Sequence, residues 1–209
     1  MKILFPLLAA LLFSGFSPGA IAQTQDFAAA VSAGKVSVTF RGTGGSSGDS
    51  IEATVVTTSK TNGDLLLTIA PGTRLQSGNS SAQIMVIAGV RGLVVDANQF
   101  EARSQISVSA TPRTYVFDAY CTDFEKDNPS TGTQFRLGQI DPVLACILAQ
   151  SNSMPVKQAA VWIYTDKASF SHVNQKFDVT QSEWDAAAAL VKKCSTAAEK
   201  PIPPKPPQP

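Results

Sequence analysis

Two groups in this chain would give covalent chemistry if they met: the thiol of Cys121, in Tyr120-Cys121-Thr122-Asp123, and the carboxamide of Gln158, in Val156-Lys157-Gln158-Ala159-Ala160-Val161-Trp162. A cysteine sulfur held against a glutamine side chain can displace ammonia and leave an internal thioester, an acyl group activated toward amines. Unassisted, a thiol attacks an amide slowly. Enforced contact can supply roughly 7 to 11 kcal/mol toward such a step, and backbone N–H groups at a helix start can hold the oxyanion. Residues 113–121 alternate so that Tyr115, Phe117, Ala119 and Cys121 share one apolar face, which points the thiol inward. Gln158 and Trp162 stand one helical turn apart, and Ala159 and Ala160 are small enough to admit a close neighbour. Tyr120, Trp162 and Phe135 are the aromatic residues expected to keep water from the bond.

The same residues have plainer readings. Gln158 can be a helix-surface amide and Trp162 a core anchor, because Gln-Ala-Ala-Val-Trp is also an ordinary amphipathic segment. Cys121 can be a small buried hydrophobe. The single histidine, His172, allows a cysteine hydrolase dyad with Cys121, oriented by Asp166 or Asp178, although nothing in its local pattern points it there. No paired Cys/His spacing suits zinc, so no metal or other cofactor is expected. Asp123, Glu125 and Asp127 lack the glycine and terminal glutamate of a calcium loop and read as a solvated acidic turn. The glycines of residues 42–48 are followed by no Lys-Ser/Thr and suggest no phosphate cradle.

Three cysteines leave one over in an oxidising compartment. A bridge between Cys146 and Cys194 would tie two helices together and leave Cys121 free, though spacing alone does not settle the pairing. Export is expected because an apolar run interrupted by Pro6, Ser14 and Gly15 leads to Ala20-Ile21-Ala22, the pattern of a cleaved leader at residues 1–22. Removing it takes away Lys2 and balances the charge, which argues against nucleic acid or anionic membrane as partner. No stretch is apolar enough for a membrane span.

Strand signals fill residues 35–120. The alternation at 35–41 predicts a half-buried strand, and Asn62-Gly63 between the apolar runs 51–58 and 65–69 predicts a hairpin. Pro71-Gly72-Thr73 reads as a turn, residues 83–88, 105–110 and 113–120 as strands, and 91–103 as strand or loop. Residues 123–138 are polar and turn-rich. Asp141 with Pro142, Ser153 or Asn152 with Pro155, and Thr180 with Glu183 mark the starts of three helices, running to about residues 151, 164 and 194. Residues 199–209 form a proline-rich, extended tail.

The stretch of residues 115–166 resembles the thioester domains of bacterial surface adhesins. Gln158-Ala159-Ala160-Val161-Trp162, with Cys121 upstream and Thr165-Asp166 after, is similar to the family's Thr-Gln-x-Ala-Ile-Trp motif, with Lys157 in place of the threonine. The resemblance implies that Cys121 is the thioester cysteine, Gln158 the acyl donor and Trp162 its packing partner.

The expected fold is α+β, an antiparallel β-sandwich-like N-terminal half followed by a helical C-terminal half. Its expected parts are a leader (1–22), a β-rich domain (23–114), a thioester-like helical region (115–198) and the tail (199–209). The expected function is a secreted, periplasmic or cell-surface module that captures an amine on a partner protein or glycan once, without enzymatic turnover. A noncovalent binding protein of the cell envelope is the alternative.

Overall fold

The computed structural model describes residues 24–61, 63–97 and 99–198. The expected leader at 1–22 and the tail at 199–209 lie outside the described residues.

In chain order the elements are β1 (Gln25–Asp26), α1 (Phe27–Ser32), β2 (Val36–Gly42), β3 (Ser47–Thr57), β4 (Leu65–Thr68), β5 (Thr73–Ser77), β6 (Met85–Asp96) and β7 (Gln99–Ala102). They continue with β8 (Ile106–Val108), β9 (Arg113–Cys121), β10 (Gln134–Ile140), α2 (Pro142–Leu148), α3 (Met154–Asp166), α4 (Phe170–Val173) and α5 (Gln181–Ala198).

The fold is mostly β, a closed six-stranded barrel with a small helical part at its C-terminal end, and not the expected sandwich. The ladder runs β5-β10-β2-β3-β9-β6, and β6 pairs back onto β5 through Thr73 with Ile87 and Leu75 with Met85. The two strands that close the ring are the two that alternation did not register. In β5 only Thr73 and Leu75 are buried, and in β10 only Phe135, so neither carries a run of inward apolar residues. Closure joins what would otherwise be two free edges. β7 pairs with the outer half of β6, so residues 91–103 are largely strand. A second, small sheet has the order β1-β4-β8.

The predicted hairpin at Asn62-Gly63 is also corrected. Gly63 takes the positive φ a tight turn needs, +83°, yet β3 belongs to the barrel and β4 to the small sheet. The chain after β3 is bound elsewhere: Thr58 N–H donates to Lys35 O at 2.9 Å, and the Thr61 hydroxyl to the same oxygen at 2.7 Å. Hydrogen bonds to the α1–β2 turn thus replace cross-strand pairing.

One core runs through barrel and helices. Tyr115, Phe117, Ala119 and Cys121 of β9 are all buried, as alternation predicts, and Phe117 and Phe27 both meet Phe40 edge-on at 6.0 and 6.1 Å. α3 buries Val156 and five consecutive residues, Gln158 through Trp162, because it lies between the barrel and α5. Such a helix has almost no solvent face, which is why its amphipathic signal is weak. Asp141 caps α2 through Val143 N–H and Leu144 N–H at 3.0 and 3.1 Å. Thr180 and Glu183 form a reciprocal capping box on α5, which extends to Ala198. Ser153 precedes α3 without a side-chain capping bond, and α1 and α4 have no counterpart in the sequence reading.

Cys146 and Cys194 form a disulfide between α2 and α5, with Cα atoms 5.6 Å apart and 48 residues between them. Closing a loop of that length is worth about 4 kcal/mol through the entropy of the unfolded chain. Cys121 is left as the free thiol. Among the described residues no helix is long and apolar enough to cross a membrane.

Candidate functional site

Cys121 is the last residue of β9, and the two edges of that strand end differently. On one edge Cys121 lies opposite Met85 of β6. On the other, β3 begins at Ser47, opposite Tyr120, and supplies no partner for the next residue. The side chain of Gln158 occupies that place. Cys121 N–H donates to Gln158 Oε1 at 3.1 Å, and Gln158 Nε2 donates to Cys121 O at 2.9 Å. The carboxamide therefore continues the ladder where the neighbouring strand stops, and it satisfies a donor and an acceptor that burial would otherwise leave orphaned. Both residues are fully buried.

The geometry has chemical content beyond a clamp. A polarised carbonyl is an electrophile at its carbon, and Oε1 already accepts an N–H from the residue that carries the thiol, as an oxyanion would. The thiol itself sits 3.4 Å from Met85 Sδ. Burial first, and the charge of Asp123 second, hold its pKa well above the ordinary thiol range, so Sγ stays protonated. Asp123 is fixed in turn by accepting Ile84 N–H at 2.7 Å.

Trp162 follows Gln158 by one turn of α3 and is 4% exposed. Its ring meets Phe124 and Phe177 edge-on at 5.0 and 5.3 Å, and its Nε1 is buried without a partner. Neither phenylalanine was singled out by the sequence reading. The nearness of Phe124 to Cys121 along the chain was the one available signal. Phe135, expected as a cover, lies instead in β10, in register with Phe40 and Ser77. Tyr120 is buried on the opposite side of β9 from Cys121, its hydroxyl 3.5 Å from Asp118 Oδ2. Burial and the Asp118 carboxylate raise its pKa.

His172 Nε2 pairs with Glu125 Oε1 at 3.0 Å, and its ring lies edge-on to Phe124 at 4.8 Å. The imidazole is thus engaged by Glu125 and not by Cys121, while Asp166 accepts a 2.7 Å bond from the Thr165 hydroxyl. The hydrolase dyad is not assembled. Among the described residues no group of three or more His, Cys, Asp or Glu side chains is arranged to hold a metal ion.

Comparison with family models, with curated proteins and with solved structures returned no match.

Proposed function

We propose that this is an exported binding module in which Cys121 and Gln158 form an internal thioester that captures an amine on a partner protein or glycan. The observation that supports this is the alignment of the Gln158 carboxamide on the peptide of Cys121, with Oε1 held by the N–H of the residue that bears the nucleophile. In the forming step the Cys121 S–H adds across the Gln158 carbonyl. The S–C bond forms, the C–N bond breaks, and the thiol proton leaves with the amide nitrogen as ammonia. Because Sγ is held protonated, proton transfer to nitrogen must accompany carbon–sulfur bond formation. In the capture step an amine forms an amide with the Gln158 acyl group and Cys121 regains its proton. The protein is consumed in the act, so it works as a covalent binder and not as a turnover enzyme.

A second reading has its own support. Both hydrogen-bonding groups of the carboxamide are already satisfied and the sulfur lies against Met85, an arrangement that suits a purely structural clamp in a noncovalent envelope protein. Intact mass of the exported, non-reduced protein separates the two. The thioester reading expects a mass lower by one ammonia than the processed, disulfide-bonded sequence requires, abolished by Cys121→Ala and by Gln158→Ala. It also expects methylamine to add to the wild type alone. Full mass with a titratable thiol would leave the clamp.

A further inference from the structure

The reaction of a buried acyl group with an external amine needs a way in and a group to take the amine's proton. We propose that the cleft between the start of α3 and the outer face of β9 is the entry for a primary alkylamine of the lysine type, and that Asp118 is the base that deprotonates it. This rests on the thioester reading above.

The cleft has a volume of about 360 Å³ and is lined by Asp118, Tyr120, Met154 and Lys157, with Asp49 and Arg91 at its charged side. Two of its walls lead directly to the pair: Tyr120 precedes Cys121 on β9, and Lys157 precedes Gln158 on α3. Met154 lies one turn before Gln158 on the same helical face, so the face carrying the acyl group continues to the cleft at a residue that is 43% exposed. Met154 Sδ also accepts from the Ser47 hydroxyl at 3.3 Å, at the point where β3 stops and the carboxamide takes over.

The charges in the cleft sort themselves. Arg91 is engaged by Asp49 at 2.8 Å. Asp118 receives the Tyr120 hydroxyl at 3.5 Å, and of the surrounding charges Lys157 acts on it most strongly, followed by Arg91 and Asp49. The cleft therefore already accommodates one alkylammonium within the influence of this carboxylate, and an incoming one of the same kind meets the same chemistry. Burial raises the Asp118 pKa, against the opposing pull of Lys157 and Arg91, which makes its carboxylate a stronger base than an exposed aspartate. The aromatic cleft on the other side of the pair, by Phe124 and Trp162, suits a cation less well, because Lys176 stands over the Phe124 ring at 4.8 Å and is paired with Glu125.

The step balances as follows. The ammonium passes one proton to Asp118, the free amine attacks the Gln158 acyl carbon, and the C–S bond breaks as the C–N bond forms. The second amine proton goes to Sγ. The test is the rate of methylamine incorporation, read by intact mass across a pH series and corrected for free amine, in wild type and Asp118→Asn. The proposal expects Asp118→Asn to show the ammonia loss of the wild type and to capture methylamine at least ~10-fold more slowly, general-base catalysis being worth typically 10²–10⁴-fold. It also expects the variant to lack the fall in rate at low pH. Capture by Asp118→Asn at the wild-type rate would overturn the proposal and leave the thioester standing. Failure of Asp118→Asn to lose ammonia would overturn it too, by assigning Asp118 to bond formation. Full mass in the wild type would overturn the thioester reading and this proposal with it.

Discussion

Replacing Cys121 by alanine distinguishes a covalent bond from a hydrogen-bonded clamp by stability alone. In the thioester-bearing protein the link closes a loop between residues 37 apart, and the same chain-entropy treatment used for disulfides gives about 4 kcal/mol for it. The disulfide between Cys146 and Cys194 overlaps that loop only over residues 146–158, so most of this entropy remains to be removed. Deleting Sγ leaves a methyl-sized void worth about 1 kcal/mol. In the variant Gln158 keeps its Nε2 and so gains the bond to residue 121 O that ammonia loss would have taken, returning about 1 kcal/mol. The net expectation is a loss of about 4 kcal/mol if the bond exists and about 1 kcal/mol if it does not. Urea unfolding without reductant measures it, and the cross-linked wild type should also show a smaller m, since its unfolded chain exposes less surface. A loss near 1 kcal/mol with unchanged m would refute the covalent account.

Gln158→Ala removes both bonds to Cys121 and leaves a buried N–H and a buried C=O without partners. At about 1–3 kcal/mol for each group, the cost should be about 2–6 kcal/mol by urea unfolding, and a loss below 1 kcal/mol would mean that the carboxamide does not hold the strand end. Gly72→Ala probes the barrel's junction with α2. Gly72 has φ +82°, and an added Cβ would lie 2.6 Å from Ala145 N and from Asp141 O, both backbone atoms that cannot swing aside. Strain and overpacking together should cost about 2–6 kcal/mol, read as a lowered Tm, and an unchanged Tm would contradict this packing.

Much of the local structure was legible in the sequence because its causes are local. The period of two in β9 needs only that one face be buried, and the starts of α2 and α5 follow from an aspartate before a proline and from a threonine three residues ahead of a glutamate. The hairpin after β3 shows the limit of such signals. Gly63 adopts the backbone its turn type requires, but oxygens of residues 34 and 35 bind Thr58 and Thr61, and no local pattern encodes that competition.

The sequence by itself determined which strands and helices carry the two reactive groups, which face of β9 the thiol takes, and which cysteines pair. Tertiary structure alone decided that the sheet closes on itself, because β5 and β10 hold their places through main-chain bonds to distant strands with one or two buried side chains each. It also decided how Gln158 meets Cys121. The carboxamide fills an edge that exists only because β3 stops one residue short of the end of β9, and the end of one strand relative to another is a property of the folded sheet and not of either segment.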